Sequence, residues 1–245
     1  MAIKYREDPD LNFLRSCKNE DLAILVKYLT VDKKGSTRFA EELLSDPKFK
    51  ACNGDYSKAW QQIAGELQLF GGDSFANIFR GNGILYKEIL CDVCNKLKVN
   101  YNKMQDTSQI ESYLLQKIIS DSWEKMTDVE RKDLLSAIGV DGTLLGSAGL
   151  GAVIAAINMG GFAAYQTAAL VANTIARTII GKGLQFGTNA ALMRSMAVVA
   201  GPIGIAISAL MTLSSISSPA FRVTMPCVIH VAYMRQMLLQ GDRFK

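Results

Sequence analysis

The longest interval without an acidic residue runs from Asp141 to Asp242. The charges inside it before Arg235 are four cations, Arg177, Lys182, Arg194 and Arg222. Residues 142–176 carry no charge over 35 positions, whereas one membrane-spanning helix needs roughly 20 apolar residues. Such a segment avoids water, so this half of the chain must be placed either in a protein core or against lipid.

The charge is distributed unequally along the chain. Residues 1–141 hold 20 basic and 22 acidic side chains, whereas residues 142–245 hold 7 basic and 1 acidic. An apolar, basic half is attracted to an anionic membrane surface. Its basic residues are too sparse to form a nucleic-acid patch, so no nucleic-acid partner is expected. Because the opening MAIKYRED lacks an apolar signal region, we expect a cytoplasmic protein, peripheral to or inserted in the inner membrane from the cytosolic side.

Apolar side chains recur at three- and four-residue spacing through residues 1–141, which predicts amphipathic helices. The clearest stripes lie in residues 56–70, 85–97 and 110–123. Thr127 and Glu130 form the pattern of a capping box and predict a last short helix that ends near Gly139. Since no segment alternates with period two for long enough to indicate a strand, the sequence predicts an all-α fold.

The remaining helix signals are local. Asp8 before Pro9, and then Asn19, predict the starts of two short helices that form a hairpin. Residues 37–44 predict a further helix and residues 75–79 a helical turn. The predicted organisation is a helical hairpin (1–35), a soluble amphipathic helical bundle (36–141) and a Gly/Ala-rich apolar helical region (142–245).

Small residues recur through the apolar region and predict close helix packing or a membrane face. They are Ala148, Ala152, Ala156, Ala164, Ala168 and Ala172, together with Gly201 and Pro202. A four-residue step overshoots the helical turn by ~40°, so the alanines form two local faces, separated by Gly160 and Gly161. Pro202 is predicted to start a helix, because proline disrupts a helix interior.

The basic residues of this region admit two interpretations. Arg177, Lys182, Arg194 and Arg222 are either solvated loop charges or interfacial anchors that extend towards phosphate headgroups. The alanine faces are likewise either the close-packed core of a soluble protein or a surface that contacts membrane. A third interpretation combines these, with the helices buried in one form of the protein and exposed on a trigger.

The chemistry-bearing motifs are weak. Cys91 and Cys94 form an isolated CxxC inside a predicted helix, without the further ligands that zinc requires. His230 is the single histidine and lies three residues after Cys227, with no acidic residue nearby to orient it. We therefore predict no catalytic residue, no metal site and no cofactor. A redox or nucleophilic role would require one of these thiols or the histidine to be reactive.

Three segments carry distinctive motifs: residues 5–14 (YREDPDLNFL) continued by residues 19–22 (NEDL), residues 71–77 (GGDSFAN) continued by residues 80–83 (RGNG), and residues 218–228 (SPAFRVTMPCV). They resemble the corresponding segments of the YaaW-like bacterial proteins, and they bracket nearly the whole chain. The central part of that family is similar to ubiquinol–cytochrome c chaperones, which are helical assembly factors. The resemblance implies a non-enzymatic helical module and provides no catalytic residues.

Two functions follow as hypotheses. The first is a non-enzymatic protein whose apolar helices associate with membrane lipid, and which oligomerises and perturbs the membrane when triggered. The alternative is a soluble chaperone-like assembly factor or scaffold that binds a polypeptide partner. Membrane lipid, a protein partner and further copies of the chain are accordingly the expected partners.

Overall fold

The computed structural model describes residues 2–32, 35–38, 42–71, 83–144, 146–184, 190–213 and 220–243. Within these ranges the regular structure is helical, and the only β pairing is an isolated bridge between Val31 and Thr37. The predicted all-α fold is therefore confirmed. The predicted turn at residues 75–79 lies outside the described residues.

The structure describes ten α-helices within these ranges. They are α1 (Asn19–Thr30), α2 (Pro47–Ala51), α3 (Trp60–Gly71), α4 (Tyr86–Lys96), α5 (Thr107–Trp123), α6 (Asp128–Ala137), α7 (Gly146–Met159), α8 (Gly161–Ile180), α9 (Ala190–Leu213) and α10 (Phe221–Arg243). Short 3-10 helices, Asn12–Ser16, Leu43–Ser45 and Tyr56–Ala59, precede α1, α2 and α3. The predicted stripe at residues 56–70 coincides with the 3-10 helix Tyr56–Ala59 and α3. The stripes at residues 85–97 and 110–123 coincide with α4 and α5.

The last helix, α10, lies at the centre of the fold. It packs against α1, α3, α4 and α5 from the first half of the chain and against α8 from the second. Residues 223–234 of α10 are buried without interruption. A helix that is apolar all round is a core helix in a globular protein. The contacts of α10 thus join helices from both sides of the predicted boundary at residue 141. The division of the chain into residues 1–35, 36–141 and 142–245 remains a prediction.

The pair α7 and α8 is sharply bent. Gly160 and Gly161 separate the two helices, as predicted, and both have positive φ, at 73° and 66°. Glycine adopts this backbone region without the steric cost of a side chain. Among the described residues, no single helix has the length and hydropathy of a membrane span, whereas α7 and α8 meet that criterion together across a bend of 108°.

Helix α9 corrects the prediction for Pro202. The proline lies inside the helix rather than at its start. Val199, Ile203 and Ile207 are fully buried along one face of α9, which packs against α5, α6 and α8. Burial of this apolar face offsets the lost backbone hydrogen bond and the steric clash of the proline ring, which together cost about 3 kcal/mol.

Local signals in the first half give mixed results. The capping box is confirmed, because Glu130 N donates to Thr127 Oγ1 and Thr127 N donates to a Glu130 carboxylate oxygen. The helix predicted to start at Asn19 is confirmed, because α1 begins there. The capping role of Asn19 is wrong, since Lys18 is the N-cap and the Asn19 side chain bonds Gly54 and Tyr56 instead. The helix predicted for residues 37–44 is wrong at Thr37, which pairs with Val31, whereas Leu43 and Leu44 lie in the 3-10 helix Leu43–Ser45.

Asp8 has a different role from the predicted one. The segment after it forms the 3-10 helix Asn12–Ser16, not an α-helix. Its carboxylate instead accepts a hydrogen bond of 2.7 Å from the backbone N–H of Tyr86, at the start of α4. A carboxylate at a helix N-terminus satisfies an orphan donor and complements the helix dipole. Asp8 therefore joins the N-terminal segment to a helix almost eighty residues later.

Candidate functional site

A buried ion pair links α5 to α10. Arg235 Nε lies 2.8 Å from Glu111 Oε2, and Arg235 Nη2 lies 3.3 Å from Glu111 Oε1. The Glu111 side chain is 1% exposed and that of Arg235 is 16% exposed. Tyr86 on α4 donates its hydroxyl to Glu111 Oε1 at 2.7 Å. The carboxylate thus holds three helices together in a part of the molecule from which water is excluded.

The local sequence explains why these side chains meet. On α5 the apolar stripe that includes Ile110, Leu114 and Ile118 is fully buried, and Glu111 lies beside it on the inner surface. On α10 burial is continuous up to Met234, and Arg235 is the first residue after it that is partly exposed. Arginine suits this position because its stem packs in the core while its guanidinium reaches the edge.

Arg235 also fixes the N-terminal segment. Its Nη2 donates to the backbone carbonyl of Asp10 at 2.8 Å, and its guanidinium lies 4.4 Å from the centroid of the Phe13 ring. Asp10 in turn accepts a hydrogen bond of 2.7 Å from the hydroxyl of Thr107, the first residue of α5. The beginning, the middle and the end of the chain therefore converge on one guanidinium group.

Burial dominates the electrostatics of this cluster. It raises the pKa of Glu111, while the charge and hydrogen bonds of Arg235 and the hydrogen bond from Tyr86 oppose that rise. Burial, followed by the charge of Glu111, raises the pKa of Tyr86 well above its ordinary value, so the phenol remains a donor. Burial lowers the pKa of Arg235, but the charge and hydrogen bond of Glu111, together with Tyr86 and Asp10, outweigh this effect and the net shift is upward.

A groove of about 1010 Å³ opens beside the ion pair, and we call it the Arg235 groove. It lies between the N-terminal 3-10 helix, the start of α5 and the end of α10. Its lining combines three cations (Arg15, Lys87, Arg235), two carboxylates (Asp10, Asp106), hydroxyl and amide groups (Asn12, Ser16, Thr107, Ser108) and apolar side chains (Phe13, Leu238, Leu239). Leu239 is 50% exposed, which leaves an apolar contact surface at the edge of the groove.

The histidine lies in the core. His230 is fully buried, its Nε2 lies 2.9 Å from the backbone oxygen of Asp21, and its ring packs edge-on against Tyr28. Burial lowers its pKa to about 4, although the hydrogen bond to Asp21 opposes that shift. Cys227 is fully buried as well, and burial raises its pKa. Neither group meets the requirements of a nucleophilic pair, which are access to a substrate and a depressed thiol pKa.

Both cysteines of the CxxC motif lie in the core of the protein. Cys91 and Cys94 are buried on α4, and burial raises the pKa of Cys94 to about 12. In the described ranges, no three side chains of histidine, cysteine, aspartate or glutamate are grouped as a metal site would require. These thiols contribute apolar surface to the core.

The predicted alanine faces lie in different surroundings. Ala164, Ala168 and Ala172 are buried on α8, which packs against α7, α9 and α10. On α7 the exposure increases towards the N-terminus, because Ala156 is buried, Ala152 is half-buried and Ala148 is exposed. On α9 Pro202 is buried and Gly201 is exposed. The structure thus assembles the α8 face within the core, and the outer part of the α7 face is open to solvent.

The predicted basic residues do not form one cluster with the Arg235 groove. Arg177, Lys182 and Arg222 are exposed, and none of them lines the groove. Arg177 lies in the last turn of α8. Its backbone oxygen accepts a hydrogen bond from the N–H of Gly181, the left-handed residue at which the helix ends. The side chain of Arg194 lies outside the described part of the structure.

The Glu111–Arg235 pair was not predicted from the sequence. A usable signal was present at both positions, because Glu111 adjoins an apolar stripe and Arg235 ends a run of twelve uncharged residues. A charge within an apolar surface is costly unless it is paired, so each residue pointed to a partner. What the sequence does not provide is the pairing, because the two residues are 124 positions apart.

The chain matches two protein-family models and is similar to bacterial proteins of one family. Residues 55–230 match the family model described as "Ubiquinol-cytochrome C chaperone", and residues 5–39 match a "Domain of unknown function (DUF3944)". The chain is 42% identical to a "UPF0174 protein" from Helicobacter pylori strain J99, over 100% of this chain and 97% of the relative. It is 33% identical to "UPF0174 protein YaaW" from Escherichia coli K12, over 97% and 98%. No solved structure matches significantly.

Proposed function

The chain belongs to the UPF0174 family and to the family of the ubiquinol-cytochrome C chaperone model, and from that premise we propose that it is a non-enzymatic assembly factor that binds a polypeptide segment in the Arg235 groove. The observation that carries the proposal is the groove itself, with its mixed lining and with Arg235 held in its wall by the ion pair to Glu111. The chaperone match, over residues 55–230, supports the same class of function.

The size and lining of the groove suit a polypeptide. Its volume of about 1010 Å³ lies at the upper limit of the 300–1,000 Å³ that is usual for small-molecule sites. Phe13 and Leu239 offer apolar contact, while Arg15 and Lys87 offer positive charge at its sides. This combination favours a segment with an acidic residue close to an apolar one, because charge complementarity selects the partner and apolar burial stabilises the complex.

The ion pair explains how the groove is kept open. Arg235 is held by Glu111 on one side and by the Asp10 carbonyl on the other, so its position is fixed before a partner arrives. Preorganised side chains lose little conformational entropy on binding. The groove is therefore suited to binding without a large rearrangement of the chain.

Peptide binding tests the proposal. A panel of fluorescent twelve-residue peptides that vary in acidic and apolar content is titrated with the full chain, and affinity is measured by anisotropy. We expect peptides that combine an acidic and an apolar residue to bind best, and the double variant Arg15→Glu, Lys87→Glu to bind them about tenfold more weakly. The matched control is Lys48→Glu, Lys50→Glu, which reverses two exposed charges on α2 outside the groove.

Two results would reject polypeptide binding in this groove. One is a panel in which no peptide binds the unaltered chain. The other is equal loss of affinity in both double variants, since that loss would reflect net charge rather than the groove. Circular dichroism of both variants establishes that each is folded before affinities are compared.

Membrane association is a second candidate function, because the exposed residues of α7, and those that the structure describes between positions 199 and 210 of α9, carry no charge. Met159 is 78% exposed at the end of α7, and Ile205 is 59% exposed on α9. Ala148, Gly151 and Ala155 extend the exposed face of α7. An uncharged outer surface of this kind is typical of an interaction site, here with the cytosolic side of a membrane.

Sedimentation with phosphatidylglycerol vesicles tests the membrane candidate. The full chain is compared with the double variant Met159→Asp, Ile205→Asp, in which two charges enter the exposed face. Membrane association predicts that the unaltered chain sediments with vesicles and resists a salt wash, whereas the variant remains in the supernatant. If the unaltered chain also remains in the supernatant, this candidate is wrong.

A further inference from the structure

A second cavity, of about 160 Å³, lies beside the Arg235 groove and shares Ser108 and Leu239 with it. Six neutral polar side chains from three helices line it: Ser108, Gln109, Ser112, Asn158, Gln236 and Gln240. No charged residue contributes to this wall. We name it the amide cavity, since four of these six side chains end in a carboxamide.

The hydrogen bonds around the amide cavity leave groups available on its wall. Gln116 Nε2 donates to Asn158 Oδ1 at 2.7 Å and to Ser112 Oγ at 3.2 Å. Asn158 and Ser112 therefore accept from Gln116, and the Asn158 amide N–H and the Ser112 hydroxyl proton remain for donation. Gln240 Oε1 is shielded from solvent and accepts no hydrogen bond within the described part of the chain.

These groups define the chemistry of a ligand. A buried acceptor without a donor costs about 1–3 kcal/mol, so an apolar ligand would leave Gln240 Oε1 unsatisfied. A charged ligand would lose its hydration without meeting an opposite charge, which costs more. A primary carboxamide fits both conditions, because its NH₂ donates to Gln240 Oε1 and its oxygen accepts from Ser112 or Asn158.

The size of the amide cavity agrees with this ligand. A protein cavity of about 150 Å³ accommodates benzene, which has six non-hydrogen atoms. The side chain of glutamine has five, and that of asparagine has four. Gly160 and Gly161 form part of the wall, and a Cβ added at Gly160 would meet no atom within 4 Å.

We propose that the amide cavity binds a glutamine or asparagine side chain of the polypeptide segment that occupies the Arg235 groove. The proposal rests on the proposed polypeptide-binding function, and it names a residue that the bound segment carries. Since the two spaces share Ser108 and Leu239, one extended segment reaches both. The groove then selects charge and apolar surface, and the amide cavity selects an uncharged hydrogen-bonding side chain.

The first test uses N-acetyl-glutamine methylamide as the probe and follows binding to the full chain by ¹H–¹⁵N NMR. The matching glutamate and methionine derivatives are the comparison probes. We expect the glutamine derivative to bind selectively, and the variant Gln240→Leu to weaken its binding about tenfold, because the acceptor is lost. Gln61→Leu, which replaces an exposed glutamine outside the cavity, is expected to bind like the unaltered chain.

Equal binding of the three derivatives, or unchanged affinity in a folded Gln240→Leu variant, would overturn the inference. Failure of the proposed function gives a different pattern, because the small probe does not need the groove. In the Arg15→Glu, Lys87→Glu variant the glutamine derivative should still bind, even though acidic–apolar peptides bind weakly. Conversely, if groove peptides bind with the same affinity whether or not they contain glutamine or asparagine, the amide cavity is not their subsite although the groove function stands.

Discussion

Replacing Arg235 with methionine tests whether the buried ion pair organises the fold. Methionine keeps the apolar stem of the side chain but leaves the Glu111 carboxylate with Tyr86 as its hydrogen-bond donor. Removing one partner of a buried pair costs about 3–5 kcal/mol, because the other charge remains desolvated. The same change removes the contact with Phe13 and the bond to the Asp10 carbonyl. We therefore expect a loss of about 4 kcal/mol, which is a large part of a typical unfolding free energy of 5–15 kcal/mol.

The assay is urea denaturation of the full chain, followed by circular dichroism at pH 7. The control is the double variant Glu111→Leu, Arg235→Met, in which no carboxylate is left buried. Because exchange of a buried ion pair for apolar side chains is often nearly neutral, the double variant should recover a substantial part of the lost stability. A cost below about 1 kcal/mol for Arg235→Met, or a double variant less stable than the single one, would refute the reasoning.

The pH dependence of Arg235→Met provides an independent check. Burial raises the pKa of Glu111, and Arg235 opposes that rise, so the variant should have a still higher folded-state pKa. A carboxyl whose pKa is higher folded than unfolded stabilises the fold at low pH, and this stabilisation is lost as pH rises through the folded-state pKa. The difference between variant and unaltered chain should therefore shrink as the pH is lowered from 7 to about 5. A difference independent of pH would mean that Glu111 is not the group left unpaired.

Three further predictions concern other parts of the core. Burial raises the pKa of Asp21 to about 6, so the stability that its protonated carboxyl contributes is lost as the pH rises through 6. In urea denaturation, the variant Asp21→Asn should therefore be more stable than the unaltered chain at pH 8 but not at pH 4. Gly149→Ala should lower the free energy of unfolding by about 1–3 kcal/mol, since a Cβ there would lie 2.8 Å from the Trp123 ring. Gly151→Ala is the matched control, because a Cβ there would meet no atom within 4 Å, and it should raise the free energy of unfolding by up to about 1 kcal/mol. Cys94 should react slowly with a thiol reagent in the folded chain and rapidly in urea; rapid labelling of the folded chain would contradict its burial.

Local patterns predicted the helices well where one face is apolar and the other polar. The stripe that includes Ile110, Leu114 and Ile118 became α5, and the Thr127–Glu130 capping box became the start of α6. The break at Gly160 was also predictable, because two consecutive glycines disfavour a continuous helix. In each case the physical cause lies within a few residues of sequence.

Features that depend on distant partners were not predictable. Asp8 has the local signature of an N-cap, but its carboxylate is used by Tyr86, 78 residues later. Pro202 has the local signature of a helix start, yet burial of Val199 and Ile203 against neighbouring helices keeps the helix continuous around it. The candidate site belongs to the same class, because Arg235 meets Glu111 and Asp10 only after the chain has folded.

The acid-free half of the chain has more than one physical explanation. Burial accounts for residues 223–234 of α10 and for the alanine face of α8. It does not account for the outer faces of α7 and α9, where Met159 and Ile205 are exposed without any neighbouring acidic residue. Apart from Arg194 on α9, these two helices carry no charge, and burial does not explain that part of the sequence pattern. Ile205 lines neither the Arg235 groove nor the amide cavity, so Ile205→Asp alone should leave peptide affinity unchanged. A fall in peptide affinity in that variant would mean that the two surfaces act together.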